Sequence, residues 1–130
     1  MMTNYVCECF PKFNDEQDDL LKKCKSLKDD VERFKISLID NIERNNGEIP
    51  VKKNSLVHVN GIKSPLPIFK VKKFRCKGIP KGNRSGFRLI FAYDRSVSLI
   101  YFIQIYYKKN DNTEMDRKRA KKACDFICDN

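Results

Sequence analysis

The spacing of apolar residues divides the first third of the chain into an extended and a helical part. Residues 5–10 are followed by Pro11 and predict a short opening strand. Residues 14–45 show apolar steps of three and four, the period of one amphipathic helix or of two successive helices. The apolar stripe consists of Leu20, Cys24, Leu27, Val31, Phe34, Leu38 and Ile42.

The ends of this helical part carry recognisable signals. Asn14 with Gln17 three residues later fits a capping box and predicts the first helix start. Ser26 with Asp29 can start a second helix, and Gly47 after two asparagines predicts the helix end. We interpret the stripe as a face packed on the domain's own core and prefer this to a coiled coil, because fewer than four heptads are present.

The rest of the chain is extended up to a last helix. Residues 45–67 contain two glycines and three prolines and predict a connection with a brief strand at 56–59. Aromatic and β-branched residues dominate three segments that turn-rich stretches separate, which predicts a three-stranded antiparallel meander. The segments are 68–77, 87–93 and 98–107, and residues 114–127 predict the helix. We therefore expect a single α+β domain over residues 1–130, with an N-terminal strand, a helical hairpin, the meander and a C-terminal helix.

Charge narrows the range of partners. The chain has 27 Lys and Arg against 17 Asp and Glu, a formal net charge of +10, which favours polyanionic partners. Nine basic residues and one acid, Asp94, lie in residues 70–95. Because adjacent strands of a meander would present these cations together, the pattern predicts a phosphate-binding face.

The first residues and the cysteines bear on location and metals. Residues 1–12 lack the features of a signal peptide, and the longest uncharged run, 96–107, is too short to span a bilayer, so we expect a cytoplasmic protein with no membrane association.

In the cytoplasm the six cysteines would be thiols. A zinc site of Cys7, Cys9, Cys124 and Cys128 would require the two ends of the chain to meet, and buried thiols without metal or cofactor are the favoured interpretation.

Two arginines flank a short turn at the start of the second meander strand. Arg84 and Arg88 lie on either side of Ser-Gly-Phe at 85–87 and could reach one phosphate. Guanidinium groups bind phosphate oxygens through two fixed donors and can stabilise the charge that develops during attack on phosphorus. Tyr106 and Tyr107, next to two lysines, offer a stacking surface or a phenolic proton donor.

Three segments resemble a known family. They are FKVKKFRC at 69–76, RSGFRLIFAY at 84–93 and IQIYYKK at 103–109. They are similar to the RelE/ParE superfamily of toxin–antitoxin toxins, above all to its RelE and HigB-type messenger-RNA interferases. The likeness covers nearly the whole chain in element order and is sharpest over residues 69–109.

The resemblance implies a RelE-like fold and an endoribonuclease toxin that cleaves mRNA, often on the ribosome, and that a cognate antitoxin silences. Cleavage would use the ribose 2′-hydroxyl as nucleophile, without a metal or cofactor. Arg88 would hold the scissile phosphate, and the catalytic set would be Arg84, Arg88, Lys73 as a candidate base, Lys109 and Tyr106. The RNA-binding set would be Lys70, Lys72, Arg75, Lys77, Lys81, Tyr107 and Lys108.

Some assignments within the resemblance stay open. Lys108 or Lys109 can match the basic position after the last strand. The last helix lacks the tyrosine that some members carry there, and Tyr106 or Tyr107 would take its place. Two other functions compete with the nuclease: a ParE-like inhibitor of DNA gyrase, and a catalytically inactive basic RNA-binding protein.

Overall fold

The computed structural model describes residues 4–79, 85–108 and 114–129. Along the chain the elements alternate between one sheet and the helices that cover it. They are β1 (Val6–Cys9), α1 (Pro11–Leu20), α2 (Leu27–Arg44), β2 (Leu56–His58), β3 (Ile68–Val71), β4 (Phe87–Asp94), β5 (Leu99–Tyr107) and α3 (Arg117–Asp129). No helix in these described ranges is long and apolar enough to cross a membrane.

The sheet has five strands in the order β1-β5-β4-β3-β2. Strands β2 to β5 are antiparallel neighbours, and β1 pairs in parallel with β5, with Val6 opposite Leu99. The prediction of an α+β domain is confirmed, and the three meander strands, β3, β4 and β5, pair antiparallel as predicted. The sheet has five strands rather than three, because β2 and the parallel strand β1 extend it at its two edges. The parallel pair forms because α1 and α2 carry the chain across the sheet, and such a non-local pairing leaves no mark in the local pattern.

The helix boundaries differ in part from the prediction. The first helix starts at Pro11, not at Asn14, and it has no side-chain cap. Proline suits a first helical position because its fixed φ is helical and its missing N–H would have no partner there. The second helix does start after Ser26, and Gly47 follows its end with φ +82°, as expected of a helix stop.

The sheet buries both of its faces, each against different helices. On one face α1 and α2 supply Phe13, Leu27, Val31, Leu38 and Ile42 to a core with the aromatic side chains of β3, β4 and β5. On the other face α3 packs its small residues over Ile68, Ile90, Ala92 and Ile103. The result is three layers with the apolar strand β5 in the middle.

A partly buried ion pair between Glu16 and Arg119 connects the two helical layers around the edge of β5. Strand β1 pairs only with residues 99–102 of β5, so the following N–H of Ile105 needs another partner. Glu16 of α1 accepts that N–H at 3.2 Å and also accepts Arg119 of α3 at 2.8 and 3.0 Å. This carboxylate thereby satisfies a strand edge and pairs a charge that would otherwise be buried alone.

Candidate functional site

Strand alternation places cationic side chains from β3, from β4 and from the residue after β5 on the face that α3 covers. Arg88 of β4 lies opposite Tyr106 of β5, and Lys70 of β3 lies opposite Ile90. The N–H of Lys108 donates to the Gly86 carbonyl at 2.8 Å, which continues the β4–β5 pairing by one residue pair. Since alternate residues of a strand share a face, these side chains lie on one surface beside the start of α3.

We call this group the sheet-face cluster: Lys70, Lys72, Arg88, Tyr106 and Lys108. Burial lowers the pKa of Lys70, and the charges of Lys108, Lys72 and Arg88 lower it further. The nearby Glu114 carboxylate opposes this shift. Four cations and this one carboxylate leave a local charge of +3, which favours an anion bound among them.

Tyr106 adds a neutral donor to the cluster. Its hydroxyl is buried and has no hydrogen-bond partner among the described residues. Burial raises the pKa of Tyr106, Glu114 raises it further, and Arg88 opposes the shift. The phenol is therefore protonated at neutral pH, and its O–H can donate to a bound oxygen once the side chains that cover it move aside.

The guanidinium of Arg88 is not held by a carboxylate within the described part of the chain. Its hydrogen bond goes to the carbonyl of Phe87 at 3.2 Å, on its own strand. Among the described residues, the Lys108 ammonium makes one ion pair, a long one with Glu114 at 3.9 Å, and the Glu114 side chain is largely exposed. Arg88 is thus oriented by backbone yet keeps donors for a phosphate.

Tyr107 lies on the opposite face from Tyr106. Its ring packs edge-on against Phe87 at 5.2 Å, and Lys23 of the α1–α2 connection lies 4.9 Å above it. Gly86, with φ +93°, passes so close that an added Cβ would lie 2.8 Å from Tyr107 Cε1. Glycine is required here for both reasons, and Tyr107 contributes to packing, away from the sheet-face cluster.

A second set of cations lies beside α2. We call Arg33, Lys73 and Arg75 the α2-side cations, because they line a cavity of about 240 Å³ together with Phe34 and Phe74. Phe74 belongs to the core under α1 and α2, so this cavity lies on the side of the sheet opposite α3. The predicted base Lys73 and the predicted RNA ligand Arg75 are therefore separated from Arg88 by the sheet.

One further predicted residue, Lys77, is described and belongs to neither set. Lys77 is exposed, and its N–H donates to the carboxylate of Asp30 at 3.3 Å. Arg84, Lys81 and Lys109 lie outside the described residues. Of the twelve predicted site residues, the structure brings together five: Lys70, Lys72, Arg88, Tyr106 and Lys108.

The cysteines considered as zinc ligands do not meet across the sheet. Cys7 and Cys9 of β1 pack against the core under α1 and α2, whereas Cys124 of α3 is buried in the core on the other face. Cys128 is exposed. That four-cysteine arrangement is wrong, because the sheet lies between its two halves.

Sequence reasoning missed Glu114 as a neighbour of the cations and overlooked the special position of Lys70. Alternation from Ile68, a core residue under α3, places Lys70 on the same face of the sheet and so distinguishes it from the later basic residues up to position 77.

Comparisons with protein-family models, curated proteins and solved structures give no significant match for the chain.

Proposed function

We propose that the protein is an RNA-cleaving toxin of a type II toxin–antitoxin system and that the sheet-face cluster is its active site. The observation that carries the proposal is the approach of Lys70, Arg88 and Lys108 to one another at the ends of β3, β4 and β5. Arg88 also lies near Tyr106, whose buried hydroxyl has no partner among the described residues. Cations from separate rigid strands can contact one phosphodiester and its neighbours without reordering. The resemblance of residues 69–109 to the RelE/ParE superfamily supplies the class of substrate.

In the proposed mechanism Arg88 binds the non-bridging oxygens of the scissile phosphate through its forked donors. Lys70, the lysine whose pKa is lowered, takes the proton of the ribose 2′-hydroxyl. The 2′-oxygen forms a bond to phosphorus while the bond from phosphorus to the 5′-oxygen breaks. Tyr106 donates its proton to the leaving 5′-oxygen, so the products are a 2′,3′-cyclic phosphate and a free 5′-hydroxyl.

The remaining cations act on binding and on charge. Lys72 and Lys108 contact the flanking phosphates and stabilise the negative charge that grows on phosphorus during attack. Lys70 replaces Lys73 as the proposed base because Lys73 lines the cavity beside α2. The mRNA on the ribosome and a cognate antitoxin remain the proposed partners.

The test is cleavage of a defined mRNA in a translating extract, with the ends of the products mapped. We expect cuts with 2′,3′-cyclic phosphate and 5′-hydroxyl ends from the wild type, and a rate lower by about 10²–10³-fold for Arg88→Ala. Arg75→Ala removes the same charge beside α2 and is the matched control, with a change below about twofold.

Three outcomes would contradict the proposed nuclease activity. Intact mRNA with the wild type would do so, as would equal cleavage by wild type and Arg88→Ala. RNA binding with a steep salt dependence but no cuts would identify the inactive RNA-binding alternative instead. Each variant is compared by circular dichroism and thermal melting, so that loss of folding is recognised.

A further inference from the structure

Four polar side-chain atoms converge in the interior where the α1–α2 connection meets the segment that follows β3. Cys24 Sγ, Asp30 and Cys76 Sγ offer ligand atoms that all lie within 4.8 Å of one another. Cys24 Sγ is 3.8 Å from Asp30 Oδ2. Ser26 Oγ lies 3.3 Å from Cys24 Sγ and 2.7 Å from Asp30 Oδ2.

These separations suit a tetrahedral metal ion. With metal–sulfur bonds of about 2.3 Å, two thiolates on one zinc ion are separated by about 3.8 Å, and a thiolate and a carboxylate oxygen by about 3.5 Å. The thiols and the carboxylate therefore need to move by only about an ångström or less to ligate one ion. Ser26 Oγ, which donates to Asp30 Oδ2, lies beside two of these ligand atoms, and its oxygen can complete the set.

The surroundings hold these ligands in place and balance their charge. Asp30 is 2 % exposed, Cys24 2 % and Cys76 0 %. The Asp30 carboxylate accepts the N–H of Lys77, and the N–H of Gly78 donates to Ser26 Oγ at 2.9 Å. Zinc with two thiolates and one carboxylate carries a charge of −1, and Arg33 Nη1 lies 3.2 Å from Asp30 Oδ1 to neutralise it.

From this geometry we propose that Cys24, Asp30 and Cys76, with Ser26 at the fourth corner, form a binding site for Zn²⁺. Binding transfers no electrons: the ion forms bonds to both sulfurs and to one carboxylate oxygen, and the two thiol protons leave to solvent. Burial in the protein raises the pKa of the Cys76 thiol to about 12, so this thiol is protonated until a cation binds.

The site would have a structural role. Cys24, Ser26 and Asp30 belong to the α1–α2 connection and to α2, whereas Cys76 lies in the segment that connects β3 to β4. A zinc ion would cross-link these two parts of the chain, 46 residues apart at Asp30 and Cys76, and would fix the approach to β4, the strand that carries Arg88.

The experiment titrates the reduced, metal-free full-length protein with Co²⁺ and then Zn²⁺. We expect one Co²⁺ per chain with thiolate-to-cobalt charge-transfer bands, displacement of Co²⁺ by Zn²⁺, and a higher Tm with Zn²⁺. Cys24→Ser and Cys76→Ser should each lose the charge-transfer bands. Cys128→Ser, which removes an exposed thiol, should behave as wild type.

A measurement on the wild type alone guards against variants that fail to fold. X-ray absorption at the zinc edge should show two sulfur and two lighter ligands on the bound ion. Failure of the reduced wild type to bind Co²⁺, a zinc ion without sulfur ligands, or unchanged binding by folded Cys24→Ser and Cys76→Ser would each overturn the site.

Discussion

The sheet-face cluster and the α2-side cations both draw residues from the basic stretch 70–95, but they differ in burial and in their partners. The cluster draws on β3, β4 and β5, its Lys70 is partly desolvated, and its Tyr106 hydroxyl has no hydrogen-bond partner in the described part of the chain. Among the α2-side cations Lys73 and Arg75 are exposed, and Arg33 is paired with Asp30. A run of positive charge in a sequence is therefore not one surface. Lys70 lies in β3, whereas Lys73 and Arg75 follow the end of β3 at Val71, where the chain turns toward α2.

The largest difference in cleavage rate between variants of the two groups is expected from substitution of Lys70, the proposed base. Lys70→Arg keeps the positive charge but removes the titration, since arginine stays protonated, and should lower the cleavage rate by about 10²–10⁴-fold. Because the pKa of Lys70 is lowered from 10.5, its free-base fraction rises with pH by about tenfold per unit below that pKa.

The wild-type rate should therefore rise with pH and then level off at the lowered pKa, and the Lys70→Arg profile should lack this rise. Single-turnover cleavage from neutral to alkaline pH measures both profiles. Lys73→Arg is the matched control and should keep the wild-type profile. If Lys73→Arg abolished the rise and Lys70→Arg kept it, the base would be among the α2-side cations and the comparison would be reversed.

A smaller effect is expected from substitution of Tyr106, which should lower the activity and raise the stability. Tyr106→Phe removes a buried hydroxyl without a partner among the described residues, so the free protein should become more stable by about 1 kcal/mol. Loss of the donor to the leaving oxygen should slow cleavage by about tenfold or more.

Urea unfolding and single-turnover cleavage measure these two changes. Tyr107→Phe is the control for the opposite face and should leave the cleavage rate within about twofold. A Tyr106→Phe protein that is both less stable and fully active would show that the hydroxyl is engaged in the free protein and has no part in catalysis.

The smallest expected effect concerns RNA binding. Lys72→Ala and Lys108→Ala should each weaken binding by a few-fold and reduce the slope of log K against log salt by about 1, as loss of one phosphate contact does. Lys73→Ala should leave the slope unchanged. Binding of a non-cleavable, 2′-deoxy-substituted strand across a salt series measures the slopes. An equal reduction of the slope for Lys73→Ala would show that the bound strand also contacts the α2-side cations.

Much of the fold could be predicted from local patterns. The apolar stripe from Leu20 to Ile42 identified the helical part, and the brief strand at 56–59 is confirmed by β2. The strand predicted at 68–77 ends at Val71 because the chain then turns toward α2, where Phe74 packs on Phe34 at 5.8 Å. The Asn14 capping box was wrong because Pro11, three residues earlier, already starts the helix.

The candidate site was predictable only in part. Arg88 was singled out by its glycine-containing turn, and Tyr106 by its place beside the lysines. Glu114 could not be chosen as their neighbour, because it lies after the last strand and reaches Lys108 only once α3 docks on the sheet. The proximity of Cys24 to Cys76 could not be predicted from the sequence either, because neither residue belongs to a motif with metal-ligand spacing.

The sequence by itself determined the element types, the excess of positive charge in residues 70–95 and the glycine turn before β4, because periodicity, composition and backbone freedom are local properties. Only the tertiary structure decided which cations share a face, that β1 lies parallel to β5, and which groups are buried together. Those outcomes depend on contacts between segments far apart in the chain. They are set when α1 and α2 cover one face of the sheet and α3 covers part of the other, which leaves Lys70, Arg88 and Lys108 together at its end.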